Sequence, residues 1–291
     1  MSKTTVPLQG RRVLITGAAR GIGAETARRL HGRGARLALA GLEPDLLAQV
    51  AAECGDAPWF QCDVTERTQV EGAVEGAVER LGGLDVVMAN AGVAAPLPIV
   101  GGDPAIFERT IAVNLLGVYY TLRAAGPHIS HPRGYALAIA SLAAALHAPM
   151  MGAYNASKAA VEALGNTLRT EVSGSGARVG VGYFGFIDTD MVRRGFETRA
   201  AQQVSRGRGG RATPVGTVPL KVAVDAIERG IERRSRRITA PRPVAALLPL
   251  RMLVQPLADL VTRRGLEEAL ATAREEHAPL TTEQPAGSPN A

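Results

Sequence analysis

Cysteine is nearly missing from the 291-residue chain, which contains only Cys54 and Cys62. Two thiols cannot build a disulfide framework, and neither stands at a metal-type spacing from histidine. The sequence therefore predicts reduced cysteines, a cytoplasmic setting and no metal. Aromatic residues are also few, at 4%. A nucleic-acid surface interleaves aromatics with basic residues, so nucleic acid is not expected as a partner. No basic-then-apolar leader opens the chain, which argues against a secretory signal. Long apolar runs are lacking too: residues 244–261 come nearest, but Pro249, Arg251, Pro256 and Asp259 argue against a spanning helix.

Acidic residues fall short of basic ones, 27 against 33, for a formal net charge of +6. Two stretches, 193–211 and 229–242, each hold six arginines and one glutamate, so the excess belongs to the later part of the chain. An anionic substrate, a cofactor phosphate or an acidic membrane surface would suit it, and so would plain solvation.

What is present is a 46% hydrophobic composition cut into short blocks. Apolar runs at 12–16, 35–40, 59–62, 84–89, 135–140 and 178–184 alternate with helical patterns at 21–34, 66–80, 103–125 and 152–172. Short apolar runs between helices predict an α/β fold, a doubly wound parallel sheet of Rossmann type with helices on both faces. Ligands of such sheets bind beyond the carboxyl ends of the strands. Residues 1–242 are expected to form one catalytic domain. Within it, residues 188–217, rich in arginine and glycine without a clear period, read as a mobile substrate loop. A helix over 219–233 and a strand over 237–240 follow. Residues 243–276 read as an apolar and basic helical extension, and 277–291 as a disordered tail.

The first strand ends in Thr16-Gly17-Ala18-Ala19-Arg20-Gly21-Ile22-Gly23. Gly17, Gly21 and Gly23 allow a tight turn and close approach of a pyrophosphate, and the helix that starts there offers free N–H groups and a positive dipole end. The second strand lacks the acid that would hold the ribose 2′-hydroxyl of NAD: Ala40 is followed by Gly41 and Leu42, and the first acid is Glu43. Arg20 in the glycine turn could face a 2′-phosphate, so the balance tilts to NADP(H), with NAD(H) as the alternative.

Tyr154 and Lys158, at i and i+4, share one face of a helix. A free phenol titrates near ~10, and a nearby ammonium should lower that value. Ser141 ends the fifth strand, where its hydroxyl could meet the tyrosine.

With these motifs in order, the sequence resembles the short-chain dehydrogenase/reductase family in its single-domain form, over about residues 10–242. The resemblance rests on TGAARGIG at 16–23, Asp63-Val64, Asn90-Ala91-Gly92, Asn114, and Ser141 with Tyr154-Asn155-Ala156-Ser157-Lys158. It implies that Tyr154 is the general acid/base, that Ser141 steadies the substrate oxygen, and that Lys158 tunes the tyrosine and holds the nicotinamide ribose. It implies that Asn114 supports a proton-relay water. Gly17, Arg20, Gly21, Ile22 and Gly23 would hold the pyrophosphate side. Asp63 and Val64 would lie by the adenine, and Asn90, Ala91 and Gly92 by the adenosine ribose. Phe184 stands where the family usually has proline, while Gly185, Ile187 and Thr189 still fit its contacts to the carboxamide.

The implied activity is hydride transfer between NADP(H) or NAD(H) and a secondary alcohol or ketone. Leu142, Leu146, Met150, Met151, Phe184 and Phe186 are candidate walls for a lipophilic substrate. A homodimer or homotetramer is expected, and the extension allows peripheral membrane contact through 243–264. A nucleotide-binding regulatory module and a sugar-nucleotide epimerase or dehydratase remain as alternatives.

Overall fold

Strand β1 (Arg12–Thr16) lies inside a seven-stranded, all-parallel sheet of order β3-β2-β1-β4-β5-β6-β7. The computed structural model describes residues 5–207, 217–263, 265–276 and 278–282. On one side of β1 stand β2 (Arg36–Gly41) and β3 (Trp59–Gln61). On the other stand β4 (Val86–Ala89), β5 (Tyr135–Ile139), β6 (Arg178–Phe184) and β7 (Arg237–Ala240). The chain leaves β1 in one direction and β4 in the other, which opens a crevice at their carboxyl ends.

Both faces of the sheet are covered, which is why its central strands β4 and β5 are continuously apolar. Every residue of β4 and β5 is buried. Helices α1 (Gly21–Gly32), α2 (Pro44–Glu53) and α9 (Leu220–Arg233) place Leu30, Val50, Ile227 and Ile231 against one face. Helices α3 (Arg67–Leu81), α5 (Gly117–Ile129) and α6 (Gly152–Glu171) place Val74, Leu122, Ile129 and Val161 against the other. Each such side chain contributes about 1.5–3 kcal/mol by leaving water.

Helix α2 is absent from the sequence expectation, and two further regions of residues 1–242 differ from it. The single helix expected over 103–125 is α4 (Pro104–Ile111), a π-helical turn at Ala112–Leu116, and then α5. A π-turn adds one residue per turn and is invisible to a 3.6-residue period. The stretch read as an unstructured loop forms α7 (Asp190–Glu197) and α8 (Arg199–Gly207); residues 208–216 of it lie outside the described residues. Helix α7 is started by Thr189, whose hydroxyl accepts from the Val192 N–H, and Arg193 bridges Asp188 and Asp190. Among its described side chains, helix α8 buries Ala200 and Val204 against an apolar partner, too few to show a period.

Beyond β7 the chain forms α10 (Pro243–Leu247), α11 (Arg251–Thr262) and α12 (Leu266–Glu276). Ala269 and Ala273 of α12 pack with Ala200, Val204 and Met150, and the Glu276 carboxylate accepts the first N–H groups of α8 from Arg199 and Ala200. No described helix is long and apolar enough to cross a membrane.

Candidate active site

The glycine turn after β1 is shaped by contacts that leave no room for a side chain. Gly17 has φ +64°, and a Cβ there would lie 2.7 Å from Ala91 Cα. A Cβ on Gly23 would lie 2.1 Å from the Gly17 carbonyl oxygen. Gly21, at φ +55°, faces open space apart from the Thr189 methyl. Helix α1 then begins with no side-chain cap and no acidic residue in its first turn. Its leading N–H groups and positive dipole end are thus left for an anion.

Arg20 stands at this N-terminus, and Glu43 reaches back to it: Nη2 and Oε1 are 2.7 Å apart. The sequence shows no acid at the end of β2, yet Glu43, two residues past the strand, lines the same cleft. The arginine expected to await a phosphate is therefore already paired.

Asn90 ties the turn to β4. Its side-chain amide donates to the carbonyls of Thr16 and Gly17 at 3.0 and 3.1 Å, and its N–H donates to the Thr16 hydroxyl. Asp63 is held by Arg109, at 2.7 Å, and by the N–H and hydroxyl of Thr65. Burial works to raise this carboxyl, but those hydrogen bonds outweigh it and hold the group below the usual carboxylate range. Arg109, buried on α4, is a residue the sequence reading missed, because a basic residue inside a helix carries no motif.

Ser141, Tyr154 and Lys158 converge at the other end of the cleft. The Ser141 hydroxyl accepts from the Ala143 N–H and donates to the Phe184 carbonyl at 3.3 Å, and it shares the cleft with Tyr154. Burial pushes the Tyr154 phenol above its ordinary value, opposed by Ser141. Lys158 Nζ lies 5.5 Å from the centroid of the tyrosine ring and donates to the Ile139 carbonyl at 2.9 Å. The expected lowering of the phenol by this ammonium is not seen: the cation stands over the ring, engaged with backbone, and desolvation prevails. Lys158 is itself brought down to about 8 by burial.

Asn114 sits in the π-turn and is fully buried. Its carboxamide accepts the Val93 N–H at 2.8 Å and donates to the Val93 carbonyl and the Ser157 hydroxyl. It therefore clasps the segment after Gly92, near Lys158, instead of facing the cleft. Of the catalytic and cofactor residues singled out from sequence, Asn114 and Gly23 stand behind the cleft wall and the others line it; of the six expected substrate walls, Phe184 lines it, while Leu142, Leu146, Met150, Met151 and Phe186 do not.

Beyond β6, the Gly185 N–H donates to the Ala240 carbonyl, and Ile187 pairs with Val218. Phe184 is buried in the core, and its carbonyl serves Ser141. The cleft has a further wall from the chain end. Thr281 and Ala94 exchange two hydrogen bonds, Arg194 of α7 donates to the Thr281 carbonyl, and Thr281 and Thr282 line the cleft. These residues fall in the tail expected to be disordered, of which residues 278–282 are described and residue 277 and residues 283–291 are not. Nothing in their composition points to a strap, whose hydrogen bonds are mostly to backbone. Cys54 and Cys62 are buried free thiols, pushed up to about 11 and about 12 by burial. Among the described residues, no group of three or more His, Cys, Asp or Glu could hold a metal.

The chain has known relatives. The family described as short chain dehydrogenase matches residues 11–200. The glycine betaine reductase ATRR of Emericella nidulans is 34% identical over 208 residues, 70% of this chain but 16% of that protein. The mitochondrial borneol dehydrogenase of Lavandula x intermedia is 35% identical over 189 residues, 64% of this chain and 73% of its own. A solved short chain dehydrogenase/reductase from Burkholderia phymatum, in complex with NAD, matches with a TM-score of 0.74 at 25% identity, covering 87% of this chain and 96% of that one.

Proposed function

The chain belongs to the short-chain dehydrogenase/reductase family, and from that premise we propose that it oxidises a secondary alcohol or reduces the corresponding ketone with a nicotinamide dinucleotide. The observation that carries the proposal is the meeting of Ser141, Tyr154 and Lys158 in one cleft with an uncapped helix N-terminus. When bound, the dinucleotide supplies or accepts the hydride. Tyr154 would exchange a proton with the substrate oxygen, and Ser141, in the same cleft, would hold that oxygen in line. Lys158 carries its charge where the nicotinamide ribose would sit, and Asn114 fixes the backbone around it.

Gly17, Gly21, Ile22 and Gly23 would form the phosphate cradle, with Asp63 and Val64 at the adenine and Gly185, Ile187 and Thr189 at the carboxamide. Asn90, Ala91 and Gly92 would border the adenosine ribose, Asn90 chiefly by holding the turn in shape. We assign the dinucleotide as NAD(H), reversing the balance read from the sequence. Glu43 neutralises Arg20 and would accept a ribose hydroxyl, whereas its charge would oppose a 2′-phosphate.

The substrate is taken to be lipophilic. Phe184, Ile187, Met191 and Val192 are among the residues lining the cleft. Self-association fits the half-exposed Phe107, Leu116 and Tyr119 on the α4–α5 rod, which would pack against a second copy.

The test is a panel of lipophilic secondary alcohols and ketones, followed at the nicotinamide absorbance with both dinucleotides. Net gain or loss of reduced dinucleotide with at least one compound is expected. Turnover of substrate with no net change would mark an epimerase, and dinucleotide binding with no turnover a regulatory module.

A further inference from the structure

Helix α11 is inverted for a soluble protein. Its inward side carries Val254, Gln255, Ala258 and Thr262, all partly covered. Its outward side carries two rows at four-residue spacing, Met252-Pro256-Leu260 and Leu253-Leu257-Val261, and all six residues are exposed. Met252 is 83% and Leu253 72% exposed, so these side chains stand free of the protein over most of their surface. No charged residue interrupts either row. The one carboxylate on the helix, Asp259, is hydrogen-bonded by Gln255 at 2.6 Å.

The helix is nonetheless fixed in place. Gln255 exchanges two hydrogen bonds with the backbone of His147, and Arg251 pairs with Glu162 of α6. A second apolar projection adjoins the same 147–152 segment: Ile99 and Val100 are 80% and 75% exposed, and a Cβ on Gly152 would lie 2.8 Å from Ile99 Cγ1. Arg274 stands beside this projection, donating to the Val100 carbonyl at 3.0 Å. Arg251 begins α11 and Arg263 follows it.

A second copy of the chain is a poorer occupant than lipid. Protein interfaces are rich in aromatics and carry about one hydrogen bond per 100–200 Å², while the outward rows hold no aromatic residue and offer no side-chain N–H, O–H or oxygen acceptor. Aliphatic side chains flanked by arginines match instead the boundary between acyl chains and anionic headgroups. We propose that α11, together with Ile99 and Val100, docks the protein on the surface of an anionic bilayer without crossing it. The proposal does not depend on the oxidoreductase reading.

The experiment is sedimentation of the full chain with vesicles of phosphatidylcholine alone or with a third phosphatidylglycerol. The wild-type protein is expected to sediment with the mixed vesicles at least about ten-fold more than with the neutral ones. The double variant Leu253→Glu/Leu257→Glu should lose that binding, with its melting temperature and its mass by light scattering unchanged. Tyr154→Phe should bind as the wild type does, whatever its turnover. Wild-type protein left in the supernatant overturns the proposal. So does a double variant that still binds, or one whose oligomer mass falls, which would give the face to a second copy. If that variant does not fold, Leu257→Trp in a Trp59→Phe chain decides. A blue shift of its fluorescence on adding mixed vesicles supports docking, and an unshifted spectrum overturns it.

Discussion

Arg20 and Glu43 close the rim of the cleft between the glycine turn and the start of α2, with Nη2 and Oε1 2.7 Å apart. The pair sets the charge met by the ribose of the proposed dinucleotide. Removing the carboxylate frees the guanidinium, so Glu43→Gln should raise the ratio of kcat/KM for the phosphorylated over the unphosphorylated dinucleotide by about ten-fold or more, near 1.4 kcal/mol. Steady-state kinetics with both dinucleotides measures it. An unmoved ratio would place the discrimination elsewhere.

Asn114 serves both backbone groups of Val93 from the buried π-turn. Asn114→Ala leaves that N–H and carbonyl without partners, at a cost of about 1–3 kcal/mol each. The denaturant midpoint should fall accordingly. Asn114→Asp should also lower it, since a carboxylate accepts the N–H but cannot donate to the carbonyl or to Ser157. Equal stability of the three proteins would contradict the clasp.

How far the site could be read in advance depends on where its signals reside. Strands β1, β4, β5 and β6 are short apolar blocks, and the groups at their ends, Thr16 with the glycine turn, Asn90, Ser141 and Gly185, follow directly from those boundaries. Tyr154 and Lys158 were legible because a helical turn brings them together locally. Glu43 comes two residues too late in the sequence to signal a ribose contact, and only the fold shows it reaching back. Thr281 and Arg194 form their contacts across 87 residues, largely through backbone atoms, so no side-chain pattern announces them. Helix α8 owes its place to α12, far along the chain, and its own composition reads as loop.

Burial lowers Lys158 from its ordinary value to about 8 in the folded protein. Between that value and the unfolded one, near ~10.4, the unfolded chain binds the extra proton, so stability rises with pH. Below about pH 8 both states are protonated, and the cost of burying the charge is fully present. The stability of wild type minus that of Lys158→Met should therefore climb between pH 8 and 10, by the order of 1–3 kcal/mol. Thermal melts of both proteins across that range check the slope, and parallel curves would contradict a buried cation.

The strap from Thr281 joins Ala94 to Arg194 over the cleft. Arg194→Ala and Thr281→Val each remove one hydrogen bond, which corresponds to about three- to ten-fold in an equilibrium constant. Their KM for the alcohol or ketone should shift by that factor. Dinucleotide affinity, measured by fluorescence titration, should stay within about two-fold, because the glycine turn and Lys158 are untouched. An unchanged KM in both variants would remove the strap from the substrate's surroundings.

Replacing the Tyr154 hydroxyl tests the proton exchange most directly. In Tyr154→Phe, turnover with the best substrate of the panel is expected to drop by about a hundred-fold or more, with dinucleotide affinity within about two-fold of wild type. Turnover left at the wild-type level would contradict a reaction run through that phenol.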